Sequence, residues 1–414
     1  GAKKQSFALC YPCYGQILPV TGRSSGKSDL PRRISSPWPA LCLPSPGQLH
    51  IVGRPSATRA LTPPQTQPRE PFMNDVMCDP LKMLTEGEMP SPDAIRDCFN
   101  AIMDGEVSQI RMAAFLTALK IRGERVEDIA AAAGVMREKA LIVEAPEGTM
   151  DIVGTGGDGI GTYNISTATA FVVAGCNVRV AKHGNKAVSS KSGAADVLSS
   201  LGIKLDCEMA LVSRALDEAG ICFLMAPRHH SAMRHVGPVR AELGVRTIFN
   251  MLGPLANPAL VKRIMVGVFA LELCVPFAHA LANLGTTHAW VVHGADGLDE
   301  VSTTGETKVA ALANGKVSEF TISPDDLGLA TVPISELHGG TPEENAESLK
   351  AVLDGATGSY RDVVILNAAA ALVGGGHADN LQDAAARAED SIAEGKARAA
   401  LDRLVAITNS GDAS

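Results

Sequence analysis

The 414 residues carry 46% hydrophobic but only 4% aromatic side chains, which is enough chain for two or three domains and a composition of the Ala/Gly/Val/Leu-rich α/β kind. The formal charge of -8 conceals a split, because residues 1–72 hold nine Lys/Arg against two Asp/Glu and leave 28 against 43 for the rest. An acidic body without clustered Lys/Arg and interleaved aromatics excludes nonspecific nucleic-acid binding, and no apolar run reaches the roughly 18 residues of a membrane span; a soluble, cytoplasmic protein is expected.

Residues 1–72 contain twelve of the 24 prolines and no sustained helical or strand period, so they read as a disordered, basic, Pro/Ser-rich extension. Its composition is also that of a transit peptide, yet the chain opens on Gly1 and its first methionine is Met73, which favours an appended extension. Two near-misses lie in it. Gly22 to Ser28 is one residue short of a P-loop, and Cys10-Tyr-Pro-Cys13 has no second pair to complete a zinc site. The six cysteines beyond residue 72 are scattered, mostly in apolar runs, and read as reduced core thiols.

From residue 73 to 145 the pattern is helical. Ile95, Cys98, Phe99 and Ile102 recur at i, i+3, i+4 and i+7 behind Pro92 and Asp93, followed by Ile110 to Ile121 and Val126 to Ala140. From 146 to 414, helices alternate with β-like runs at Met150–Val153, Asn177–Ala181, Gly220–Ala226, Arg263–Ala270 and His288–His293. The fold class expected is α/β: a small all-helical N-terminal domain, then a large domain with a mainly parallel sheet flanked by helices.

Two glycine-rich turns stand out, Gly154-Thr-Gly156-Gly157-Asp158 and Lys182-His183-Gly184-Asn185, each after an apolar run and before a helix rich in small residues. Backbone N–H groups left unpaired at a helix start, aided by the helix dipole, collect anions, and Lys182 adds a full charge. Gly154-x-Gly156-x-x-Gly159 also satisfies the dinucleotide fingerprint, but the acidic residue expected about 20 positions on is replaced by Lys182 and His183. The polar run Thr162, Asn164, Ser166, Thr167 is suited to a second phosphate or a metal, so a phosphoribose ligand is the better reading.

Farther on, His229, His230, Arg234, His235 and Arg240 gather titratable and cationic groups, either as a solvated loop or as a site; a three-histidine metal site lacks a nearby carboxylate. Arg240 is a natural fork for a planar carboxylate. Asp299-Glu300 close a β-like run where α/β folds place ligands; they are an acidic turn in isolation and Mg2+ ligands if they face a phosphate cradle.

In register, Gly154–Asp158, Asn164–Thr167, Lys182–Asn185, Ser190–Gly193, Val239-Arg240 with Arg246–Asn250, and Asp299-Glu300 resemble the anthranilate phosphoribosyltransferases over about Leu81 to the C-terminus. The related pyrimidine nucleoside phosphorylases share the architecture but have a Lys-His-Ser-Thr-Gly-Gly phosphate loop that this chain lacks. The resemblance implies transfer of 5-phosphoribosyl from phosphoribosyl pyrophosphate to anthranilate, in tryptophan biosynthesis, by a Mg2+-dependent homodimer. It implies phosphoribosyl pyrophosphate contacts from Gly154, Gly157, Asp158, Thr162, Asn164, Ser166, Thr167 and Lys182 through Ser190, with Ala194 replacing a common serine. It implies Mg2+ ligation by Ser166, Asp299 and Glu300, an anthranilate channel lined by His183, Asn185, His230 and Arg240, and a hinge at Pro254 within a segment (about 236–260) shared with the small domain. Ser231 departs from a common proline. Lys182 and Arg240 carry the catalytic expectation, as leaving-group neutraliser and acceptor clamp. A paralogue with another aromatic acceptor, or a binder without chemistry, are the alternatives.

Overall fold

The computed structural model describes residues 76–187 and 191–413, so the extension over 1–72, its two near-miss motifs and Ser190 lie outside the described residues. The chain divides into the units Gly1–Arg69 and Glu70–Ser414, and every described element belongs to the second.

Four helices open it: α1 (Cys78–Glu86), α2 (Pro92–Asp104), α3 (Gln109–Arg122) and α4 (Val126–Glu138). Their starts follow local chemistry. Ser91 caps α2 by accepting from the Ala94 N–H at 3.2 Å with Pro92 in the first turn, and Ser108 accepts from the Arg111 N–H at 3.4 Å. There follow β1 (Met150–Gly154), α5 (Ile165–Gly175), β2 (Val180–Gly184), α6 (Ala194–Ser200), α7 (Met209–Glu218), β3 (Ile221–Met225), α8 (Ala226–His229), α9 (Gly237–Leu243), α10 (Phe249–Leu255), β4 (Arg263–Gly267), α11 (Cys274–Asn283) and β5 (His288–Gly294). The chain ends with β6 (Thr307–Ala313), β7 (Lys316–Ile322), α12 (Pro342–Leu353), α13 (Ser359–Gly374), α14 (Leu381–Ala393) and α15 (Lys396–Asn409).

The sheet has the order β3-β2-β1-β4-β5-β6-β7, with the first five strands parallel and the last two antiparallel. Successive residues alternate between two apolar cores. Ile152, Met265, Trp290, Val292 and Val309 enter a core shared with α5, α7 and α12–α15, while Ile264, Val266, Ala289, Val291 and Ala310 enter one shared with α1–α4 and α9–α11. Both faces of the parallel strands β1–β5 are therefore buried, as helix-crossed parallel strands require, while β7 at the edge is largely exposed. The second core joins Phe99 of α2 to Phe249 of α10, ring centroids 5.6 Å apart, so residues 236–256 pack with the N-terminal helices.

Two sequence expectations shift. The second strand begins at Val180, not Asn177, because Asn177 adopts a left-handed turn (φ 61°) after α5. The antiparallel pair β6–β7 was not anticipated, although Asn314-Gly315 between them, at φ 51° and 71°, is the tight-hairpin signature.

The order of strands reverses between β1 and β4, so the connections leaving their C-terminal ends diverge and open a crevice. Gly154 and Gly267, the last residues of these strands, are register partners there. The segment after β5 crosses directly over them. A Cβ on Gly267 would lie 1.5 Å from the Asp299 carbonyl oxygen, and one on Gly154 would lie 2.5 Å from its carboxylate.

Gly267→Ala is therefore expected to displace residues 299–301 and lower stability by about 1–3 kcal/mol. Gly237→Ala, where a Cβ meets nothing within 4 Å, serves as the control. Urea midpoints of the two variants check this; equal midpoints would remove the steric argument.

Candidate active site

The first glycine turn is an open loop at the crevice. Gly156, Gly157, Gly159 and Gly161 all have φ between 67° and 80°, a conformation in which side chains are strained. Thr155 anchors its start, donating its N–H to the Gly267 carbonyl (2.9 Å) and accepting from the Phe269 N–H (3.0 Å). Arg246, 4.2 Å above the Phe269 ring, donates to the Gly157 carbonyl. Farther along, Thr162 bridges His338, and the Tyr163 N–H donates to the Leu337 carbonyl at 2.9 Å.

Helix α5 begins without a side-chain cap. Asn164 at its start is committed elsewhere: its side-chain oxygen accepts from Asn345 Nδ2 (2.9 Å) and Ser192 Oγ (3.2 Å), and its carbonyl accepts from the Tyr360 hydroxyl (3.3 Å). Thr167 Oγ1 is buried with no partner among the described residues.

Asp299 and Glu300 face this loop and helix start. The Gly156 N–H donates to Asp299 Oδ2 at 2.6 Å, and the Ser166 N–H donates to Glu300 Oε1 at 3.1 Å. Both carboxylates are buried, and burial raises both pKa values, with Glu300 and Asp158 raising that of Asp299 further. Asp158 thus contributes a third carboxylate. Lys182 is the cation that favours ionised Glu300, and it is itself buried, its ammonium donating to the Ile152 carbonyl at 2.6 Å. Burial lowers the Lys182 pKa, while Asp151, Glu300 and Asp299 counteract this. Three carboxylates against one lysine leave the cluster short of positive charge, and its donors are all hard oxygens. That donor set fits a divalent cation of the Mg2+ class.

The second glycine turn sits beside it. His183 donates its backbone N–H to Asp151 Oδ1 (3.1 Å) and holds the Gly253 carbonyl with Nδ1 (3.0 Å), leaving Nε2 buried and unpartnered. Its ring lies 5.2 Å, edge to face, from His230, whose ring nitrogens face the Ala256 and Met136 backbone without a well-formed hydrogen bond among the described residues. Burial pushes His183 down to about 3 and His230 to about 4, so both rings are neutral at pH 7. Asn185 caps the turn, its carbonyl accepting from the Ala195 N–H at 3.1 Å. Asp196 accepts from the Ala187 and Gly193 N–H groups at 2.9 and 3.0 Å, closing the loop onto α6. Ala194 packs its methyl against Gly184, where an added Cβ would meet it at 3.4 Å.

His229 has another role, with its Nδ1 bonded to the Leu141 carbonyl at 2.6 Å. It fastens the segment after α4 to α8; since no three His, Cys, Asp or Glu side chains converge as a metal-binding group among the described residues, a divalent cation would find only the Asp299–Glu300 pair among such side chains and take the rest of its shell largely from phosphate and water. Arg240 is half-buried, its guanidinium 5.8 Å from the Phe249 ring centre and its side chain without a hydrogen bond or ion pair among the described residues.

Two family models match: the helical bundle domain of a glycosyl transferase family over residues 79–140 and its a/b domain over 146–398. Anthranilate phosphoribosyltransferase of Parvibaculum lavamentivorans is 53% identical over 326 residues, 79% of this chain and 96% of that protein. The Azospirillum brasilense enzyme is 56% identical over 312 residues, 75% of this chain and 87% of its own. The chain belongs to the anthranilate phosphoribosyltransferase family. The crystal structure of the Thermus thermophilus anthranilate phosphoribosyltransferase superposes with a TM-score of 0.76 at 43% identity, covering 80% of this chain and 100% of that one. The Saccharomyces cerevisiae anthranilate phosphoribosyltransferase, solved in complex with PRPP and Mg, gives 0.75 at 31% identity, covering 81% of this chain and 98% of its own.

Several residues of this family site escape motif reading. Asp151, fully buried, accepts from His183 and from Asn257 Nδ2 (2.7 Å), which also donates to the Ala181 carbonyl at 2.8 Å. Asn345 accepts from the Gly340 N–H at 2.7 Å while holding Asn164. Asp151 had a signal, a charge inside a strand's apolar run; the asparagines had none.

The neutral histidines carry a pH consequence. Below their ordinary pKa near 6.5 the unfolded chain binds protons that buried His183 and His230 refuse, so stability falls as pH drops from about 6.5 towards 4. The loss is at most about 1.4 kcal/mol per pH unit for each ring. Urea unfolding at pH 7.5, 6 and 5 should show a steeper decline for the wild type than for His183→Gln/His230→Gln; parallel declines would contradict it.

Proposed function

We propose that the crevice between β1 and β4 transfers 5-phosphoribosyl from phosphoribosyl pyrophosphate to the amine of anthranilate, releasing pyrophosphate, with Mg2+ held by Asp299, Glu300 and Ser166. The observation that carries this reading is the pair of buried carboxylates accepting N–H groups from the glycine loop and from the start of α5, Gly156 to Asp299 and Ser166 to Glu300. A cation seated on that pair would lie beside the main-chain groups suited to phosphate. The yeast relatives solved with PRPP and Mg and with 4-fluoroanthranilate support it.

The C1–O bond to pyrophosphate breaks as a C1–N bond forms, and negative charge gathers on the departing diphosphate. When bound, Mg2+ supplies Lewis-acid neutralisation of that charge. Lys182 balances Glu300 through the field and holds the β1–β2 edge through Ile152, and its positive charge adds to the neutralisation of the departing diphosphate. Thr155, Gly156 and His183 spend their N–H groups on Gly267, Asp299 and Asp151, so the donors for phosphate and ribose are the other N–H groups of the loop, at Gly157, Asp158 and Thr162, and of the turn through Asn185. The aniline nitrogen is neutral at pH 7 and attacks without a protein nucleophile, so the chain's task is orientation. Arg240 provides a fork for the acceptor's carboxylate, and the unpartnered nitrogens of His183 and His230 line the same channel. The hinge role of Pro254, inside α10 one residue past the carbonyl that holds His183, belongs to this reading.

A homodimer completes it. Ile110 and Ile121 stand 83% and 77% exposed on one face of α3, an apolar surface suited to a second copy. None of the six cysteines among the described residues forms a disulfide, which supports a cytoplasmic setting, and no described helix is long and apolar enough to cross a membrane.

The assay is loss of anthranilate fluorescence on mixing with phosphoribosyl pyrophosphate and Mg2+, with no loss when either is omitted. Arg240→Ala should raise the anthranilate KM roughly tenfold or more while the phosphoribosyl pyrophosphate KM stays within about threefold; equal rises would remove the clamp. Asp299→Ala should lower kcat roughly 100- to 1000-fold, and retention of the wild-type rate would overturn the metal assignment.

A further inference from the structure

We infer that Asn367, in the middle of α13, is a positioning residue that sets the Asp299–Glu300 pair in place. Three consecutive residues after β5 are each held by a different element. Asp299 takes the Gly156 N–H while its carbonyl presses on Gly267, Glu300 takes the Ser166 N–H at the start of α5, and the Val301 backbone is held by Asn367 of α13.

That third attachment is unusual for its helix. From Val363 to Leu372 the α13 side chains are buried and apolar except Asn367, which is fully buried. A leucine there would bury its volume without needing partners, whereas an unsatisfied buried amide costs about 1–3 kcal/mol. All of its main bonding capacity is used: Oδ1 accepts from the Val301 N–H at 3.0 Å, and Nδ2 donates to the carbonyls of Val301 (2.7 Å) and Val363 (2.8 Å). Both peptide groups of Val301, outside any strand, are read by one side chain, as a neighbouring strand would read them. The bond to Val363, one turn back, fixes the amide's orientation, so register along the loop is set to one residue. Displacing that register moves Glu300, the adjacent residue, off the Ser166 N–H.

Asn367 touches neither carboxylate, so it acts through the backbone. The inference rests on the reading that Asp299 and Glu300 hold a divalent cation, and groups that orient metal ligands typically change metal affinity 10- to 100-fold when removed.

The test is Mn2+ titration of the full chain, free Mn2+ followed by electron paramagnetic resonance, with each variant's folded fraction set by circular dichroism. Asn367→Leu and Asn367→Ala are expected to weaken Mn2+ binding roughly 10- to 100-fold, and Asn367→Ser carries the test if the leucine variant does not fold. Leu372→Ala, a cavity on the same helix, is expected to bind Mn2+ within about twofold of wild type, which separates positioning from general loss of stability. Folded Asn367 variants that bind Mn2+ like wild type, while Asp299→Ala has lost it, would overturn the inference and leave the metal reading standing. Wild-type binding by Asp299→Ala would overturn the metal reading and the inference together.

Discussion

Two adjacent carboxylates held out of water are the constraint on which the rest of this site depends. Removing a carboxylate from water costs several kcal/mol unless charge or hydrogen bonds compensate, and Asp299 and Glu300 share a single nearby lysine. The chain compensates with main-chain N–H groups from Gly156 and Ser166. Those contacts demand that the segment after β5 run tightly across β1 and β4. Hence Gly154 and Gly267, where any Cβ would collide with Asp299, and hence an α5 start whose Ser166 N–H is taken by Glu300 and not by a capping side chain.

The sheet makes this geometry available. Because the strand order turns back between β1 and β4, the only partnered neighbours at that point send their connections to opposite sides. Glycine turns after β1 and β2 then share one edge, and the two apolar cores hold the strands from both faces. Asp151 ties the layers together from within: its carboxylate joins the β2 backbone at His183 to Asn257 just before β4, and its charge faces Lys182. A buried anion thus links Lys182 to His183 across the second glycine turn.

The glycine turns, the Asp-Glu pair and the helix-then-sheet order were legible in the sequence because each is local: a spacing of glycines, a doublet at a strand end, a change of period. The hairpin at Asn314-Gly315 carried an equally local signal and was passed over, since the alternation of its flanking runs is masked by Ala310 and Ala311 in the core. Asn345 and Asn367 were not legible, as their partners lie 181 and 66 residues away and a single amide in a helix carries no pattern. The burial of Lys182 against the Ile152 carbonyl was not legible, because burial in a strand depends on neighbours a sequence does not order. His229 looked like its neighbour His230, yet one ring is a structural tie and the other has unpartnered nitrogens.

The most direct measurement of the central claim is the anomalous signal of Mn2+ in a crystal grown with phosphoribosyl pyrophosphate. The account predicts a peak about 2.0–2.4 Å from carboxylate oxygens of Asp299 and Glu300, with the diphosphate over the Gly157–Asp158 amides. A peak elsewhere, with both carboxylates unligated and the diphosphate away from those amides, would contradict it.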